Sequence, residues 1–146
     1  MNLTGLWKGK YTYGKGYPLS TLGKSESFEF DILDNNGSIS GTCVDEIVKS
    51  RIGNESRIEG SFKDNYLNFL KKYKYPSYIT DESTKDINLD NVQSDGMLYT
   101  GKLYKKLFTR KAYFSGKWKT KTIFKDNLNK THVSTAEGFW IMEQLK

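Results

Sequence analysis

A lysine stands where the pattern calls for an apolar residue. Along the segment Tyr66 to Tyr75, Leu67, Phe69, Lys71 and Tyr73 share one alternating phase, so an extended chain turns all four to the same side. A buried polar group without a partner costs roughly 1–3 kcal/mol, and a charged one more. An inward lysine therefore asks for an anion. Two readings stay open: Lys71 anchors a ligand's carboxylate or phosphate, or it lies at the mouth of the fold and snorkels to water. Tyr11, Tyr13, Tyr73 and Thr120 fall in inward phases of their own segments. Their hydroxyls could meet a ligand's polar atoms in a mostly apolar pocket, or stay wet at a rim. Cys43, the single cysteine, is also in an inward phase. With no histidine near it in sequence, it is expected to act as a small buried hydrophobe lining the same space, not as a nucleophile.

Other chemistries lack their residues. His132, the only histidine, falls in a predicted loop, and one His with one Cys makes no spaced metal set. The acids Asp81, Glu82, Asp86, Asp90 and Asp95 lack the Gly and closing Glu of an EF-hand calcium loop. Gly14-Lys15-Gly16 lacks the spacing and the Lys-Ser/Thr of a phosphate-binding P-loop. No catalytic residue, metal or cofactor is expected. The stretch Lys102 to Lys125 holds nine Lys/Arg and no acid, interleaved with Tyr104, Phe108, Tyr113 and Trp118. A nucleic-acid surface would need those aromatics exposed for stacking. Lys117, Lys119 and Lys121 take one phase, however, while Phe114 and Trp118 take the other. A solvated outer face is the expectation, and nucleic acid is not the expected partner.

Eight segments read as the strands that position these residues. They are Leu3–Tyr13, Ser27–Leu33, Ser38–Asp45, Arg57–Lys63, Tyr66–Tyr75, Met97–Leu107, Ala112–Phe124 and Gly138–Leu145. Asp34-Asn35-Asn36-Gly37 predicts a hairpin turn. A motif of apolar residue, any residue, then Gly recurs at Ile39-Gly41, Ile58-Gly60, Tyr99-Gly101 and Phe114-Gly116, each Gly on the inward phase. Interior glycines mark bends or close backbone approach. Four at one phase predict strands that coil and close on themselves, which also removes exposed edges. The expected fold is all-β: a single closed antiparallel barrel of about eight strands in meander order, spanning 1–146, with a two-sheet β-sandwich as the alternative. Long loops are expected at 14–25 and 76–96. The second, of net charge −4, is a candidate lid, with a short helix within Asp81–Val92 as an option.

Gly5-Leu6-Trp7 resembles the Gly-x-Trp start of the lipocalins, and the Ser-Gly-Thr and Ser-Gly-Lys-Trp strands resemble those of the avidins. Both are calycin-like up-and-down barrels, and the resemblance covers nearly the whole chain. It implies a packing role for Trp7 across the closed end. Cys43 stands where an avidin carries a biotin-contacting Tyr, and no matching set of pocket tryptophans is present, so biotin binding is not implied.

Charged residues make up 27% of the 146 residues and no run of 18 apolar residues occurs, so no membrane partner is expected. A lone cysteine and no visible signal segment point to the cytoplasm. The functional expectation is a non-enzymatic barrel that holds a small molecule in its interior. That ligand would be partly apolar, with an anionic, nucleotide-like group as one option. The expected lining is Trp7, Tyr11, Tyr13, Phe30, Cys43, Phe69, Lys71, Tyr73, Trp118 and Thr120. The alternative is a protein-interaction module, of inhibitor or immunity type, acting through its loops or basic outer face.

Overall fold

The computed structural model describes residues 1–45, 56–73, 78–80, 83–85, 92–126 and 128–145. Ten strands form in chain order: β1 (Gly5–Thr12), β2 (Ser25–Asn35), β3 (Ser38–Asp45), β4 (Ser56–Lys63), β5 (Tyr66–Tyr73), β6 (Tyr78–Thr80), β7 (Ser83–Lys85), β8 (Val92–Lys105), β9 (Ala112–Lys125) and β10 (Thr131–Gln144). Eight of them close into an antiparallel meander, with β10 returning to pair with β1. The short β6–β7 hairpin stands apart within the β5–β8 connection. The closed barrel stands, and the sandwich alternative falls.

Most strand ends fall within about two residues of the sequence expectation, and two strand starts differ by more. β8 begins at Val92 and not Met97, because the pairing with β9 continues across a bulge between Ser94 and Met97. That bulge holds Gly96 at φ 86°, a conformation that hides the strand from a simple alternation pattern. β10 begins at Thr131 and not Gly138, and its first seven residues are mostly polar, held by backbone pairing to β9. His132 therefore lies in a strand and not in a loop, exposed, with Nε2 2.8 Å from Asp126 Oδ2. In the acidic segment the helix option meets strand β7 at Ser83–Lys85, and its remainder lies outside the described residues.

The two barrel ends are built differently. Short turns close the lower end, with positive φ at Asn36 (52°) and Gly37 (89°) and at Asp64 (53°) and Asn65 (67°). Two successive positive φ values twist the chain with the strands, as a tight hairpin requires. Asp34 ties this end to the N-terminal segment, its carboxylate accepting from Leu3 N (2.9 Å) and Gly37 N (2.7 Å). Trp7 is fully buried there and donates Nε1–H to the Leu3 carbonyl at 2.8 Å. The upper end carries the longer connections 13–24, 46–55 and 74–91. From the first of these, Tyr17 packs onto Tyr13 and Trp118, with ring centroids 4.8 and 5.9 Å apart.

Rings fill the interior between the two ends. Trp7, Phe28, Phe30, Phe69, Tyr99, Phe114, Trp118 and Trp140 are all buried. The nearly continuous apolar run of β10 resolves by phase, with Trp140 and Met142 inside while Phe139 and Ile141 are exposed. Two glycines make room for the tryptophans. A Cβ at Gly101 would stand 2.4 Å from the Trp140 ring, and one at Gly138 would stand 2.6 Å from Trp118 Nε1.

Candidate functional site

The polar side chains of the interior gather toward the upper end. Strand register explains how. Cys43 pairs with Ser56 and Ser56 with Tyr73, so β3, β4 and β5 contribute one cross-strand row. Asp45 lies two residues above that row on β3, and Lys71 two residues below it on β5. All share the inward phase. Two small side chains, Cys43 and Ser56, stand between them, which lets the long lysine reach across to the carboxylate.

Lys71 Nζ contacts Asp45 Oδ1 at 2.9 Å and Oδ2 at 2.7 Å, with both side chains fully buried. The Tyr73 hydroxyl donates to Asp45 Oδ2, and the Cys43 thiol donates to Oδ1 at 3.4 Å. A carboxylate offers about four lone-pair sites, so Asp45 is saturated by these four contacts. The ammonium also faces the rings of Tyr73 (4.8 Å), Tyr11 (5.1 Å) and Tyr99 (5.7 Å to the centroid), whose π clouds favour a cation. Tyr11 and Tyr13 share a hydroxyl–hydroxyl contact of 3.4 Å above it. Ser56 donates to the Cys43 carbonyl at 3.2 Å.

Protonation follows from this packing. Burial alone would lower the Lys71 pKa. The groups around it, Cys43, Tyr99, Asp45 and Tyr11, outweigh burial and hold it well above the ordinary lysine value, with the Asp45 carboxylate in direct contact at 2.7 Å supplying the opposite charge. Burial pushes the Cys43 thiol and the Tyr11, Tyr73 and Tyr99 phenols up, and Tyr13 up to about 12. Thiol and amine are thus both held in their protonated, weakly nucleophilic forms. What the arrangement can do is hold a polar atom. Lys71 has three N–H donors and spends two on Asp45. The Tyr99 hydroxyl is buried and, among the described residues, is the side-chain polar atom left without a hydrogen-bond partner. Lys71 lies close enough to oppose burial in setting the Tyr99 pKa, by its charge and by a weak side-chain contact whose geometry falls short of a full hydrogen bond.

Of the residues expected to line one pocket, the structure brings Tyr11, Tyr13, Cys43, Lys71 and Tyr73 together. Phe30, Phe69 and Trp118 lie in the ring-packed interior, with Phe30 and Phe69 5.2 Å apart and edge-on. Trp118 also donates Nε1–H to the Thr12 carbonyl at 3.0 Å. Trp7 is at the opposite, closed end, and Thr120 is at the rim, donating to the Gly96 carbonyl at 2.9 Å. Neither meets the cluster. Neither open reading of Lys71 describes what is found: it does not snorkel, and the anion it meets is the chain's own Asp45.

Sequence reasoning missed Asp45, Ser56, Tyr99 and Tyr17. A signal existed for three of them. Asp45 continues the phase of Ile39, Gly41 and Cys43, Ser56 that of Ile58 and Gly60, and Tyr99 that of Gly101 and Leu103. Tyr17 had none, because loop residues carry no periodicity.

Within the basic stretch, Phe114 and Trp118 are buried and unavailable for stacking, while Tyr104 stacks on Tyr113 at 5.4 Å. No group of three or more His, Cys, Asp or Glu that could hold a metal occurs among the described residues. No helix among them is long and apolar enough to cross a membrane. No protein-family model matches this sequence. Nor does any curated protein sequence match it.

Proposed function

We propose that this protein is a non-enzymatic, calycin-like barrel of the cytoplasm that binds a small, partly apolar ligand at its upper end. One observation carries the reading: a fully buried Tyr99 hydroxyl that makes no full hydrogen bond among the described residues, beside a lysine that spends two of its three donors on Asp45. A buried unsatisfied hydroxyl is uncommon and costly, so its place in a ring-lined polar cluster is that of a group waiting for an acceptor. Because Asp45 already balances Lys71, the ligand needs an acceptor oxygen more than a full negative charge. A carbonyl, carboxylate or phosphate oxygen meets that requirement, and the surrounding rings suit an apolar body.

Native mass spectrometry of the purified protein, set against its denatured mass, tests this directly. A small extra mass lost on denaturation, and lost or reduced in Tyr99→Phe, is the expected result. A bare chain under native conditions, unchanged by offering extracts of small molecules, counts against it.

A protein-interaction role has one observation of its own. Phe139 and Ile141 stand 62% and 48% exposed on β10, beside Lys117 and Lys10 on the neighbouring strands. Capture of a single acidic partner, abolished by Phe139→Asp, would move the reading to that face.

A further inference from the structure

A concave site lies on the outer face of the barrel at its upper rim, and does not depend on the interior reading. The strand register lays Leu70, Leu98, Lys119 and Glu137 side by side in one row across β5, β8, β9 and β10. The β8 bulge at Ser94/Met97 and the segment at Lys15-Gly16, bonded to Glu137 through the Lys15 carbonyl, raise walls around that row. The result is a cleft of about 640 Å³, within the usual size range of small-molecule sites.

Its lining is graded. Leu70 and Leu98 form an apolar wall on the β5–β8 side, while Lys15, Lys119 and Lys121 stand on the opposite side. All three lysines are exposed and none makes an ion pair within the described structure; among the described residues Glu137 is the single acid of the lining. The cleft therefore presents net positive charge facing an aliphatic surface. Among the described residues no aromatic side chain lines it, so the described lining offers a nucleobase nothing to stack on. We infer that this cleft binds an anionic single-chain amphiphile, an aliphatic carboxylate or phosphate monoester, with its head group among Lys15, Lys119 and Lys121 and its chain along Leu70 and Leu98.

The probe is anilinonaphthalene sulfonate, an anionic amphiphile whose fluorescence reports binding, displaced by dodecanoate. Dodecanoate is expected to compete, and dodecanol, with the same chain and no charge, is expected not to. Lys119→Gln with Lys121→Gln should weaken dodecanoate binding about tenfold, and Leu98→Asp should abolish it. These side chains are exposed, so far-ultraviolet circular dichroism should be unchanged. Lys8→Gln with Lys10→Gln removes the same charge from β1, outside the cleft, and should leave binding unaltered. Equal weakening by both pairs would overturn the assignment in favour of net charge alone. So would competition by dodecanol, absence of binding, or binding only to phosphatidylglycerol vesicles and never to monomeric dodecanoate. Tyr99→Phe touches none of these residues, so the interior site and this cleft can fail separately.

Discussion

Lys71→Met removes the ammonium from the interior and leaves the Asp45 carboxylate fully buried with, among the described residues, only Tyr73 and Cys43 as donors. Methionine keeps the volume and the apolar stem, so packing changes little and the loss reports the charge. Breaking a buried pair by removing one partner typically costs about 3–5 kcal/mol. For a domain of this size that corresponds to a fall in Tm of about 10–15 °C. Removing both charges, with Asp45→Asn added, should bring stability back to within about 1 kcal/mol of the parent, since desolvation and attraction vanish together. Urea denaturation of the parent, both single variants and the double variant closes the cycle.

A loss under 1 kcal/mol for Lys71→Met, or additive losses in the double variant, would refute the reasoning that the pair is dry and coupled.

The remaining predictions concern the tyrosines and the glycines. Burial raises the pKa of Tyr11, Tyr13, Tyr17, Tyr73, Tyr99 and Cys43, and Lys71 is held high by its neighbours. The unfolded chain releases these protons first, so stability should be full below about pH 9 and fall steeply above about pH 10. Phenolate absorbance should accordingly rise in two stages, the second coinciding with loss of near-ultraviolet circular dichroism; smooth titration of every tyrosine with structure intact would contradict it. Tyr99→Phe deletes a buried hydroxyl that makes no full hydrogen bond among the described residues and should stabilise the ligand-free protein by about 1 kcal/mol in denaturant titration. Gly101→Ala, whose Cβ would stand 2.4 Å from the Trp140 ring, should destabilise by about 1–3 kcal/mol. The same substitution at Gly23, where a Cβ would meet nothing within 4 Å, should clash with nothing and show only the strain of φ 80°. Thermal unfolding of the two variants separates crowding from strain.

Much of this protein is legible in its sequence because strand geometry is local. Alternation puts Phe28, Phe30 and Ile32 inside, and Asn36-Gly37 turns the chain, whatever the rest of the fold does. Inward glycines foretell close approach, and Trp140 against Gly101 is an instance. A period-two pattern states which side chains face inward but not how far up the barrel each stands, since height depends on register between distant strands. That is why Trp7 and Thr120 were grouped with a cluster neither one reaches, and why Asp45 and Lys71, 26 residues apart, were not joined. The β8 bulge and the polar start of β10 carry no alternation to read, because backbone pairing with β9 holds them. The partner of Lys71 was decided only when closure brought β3 and β5 to either side of β4, with two small side chains between them.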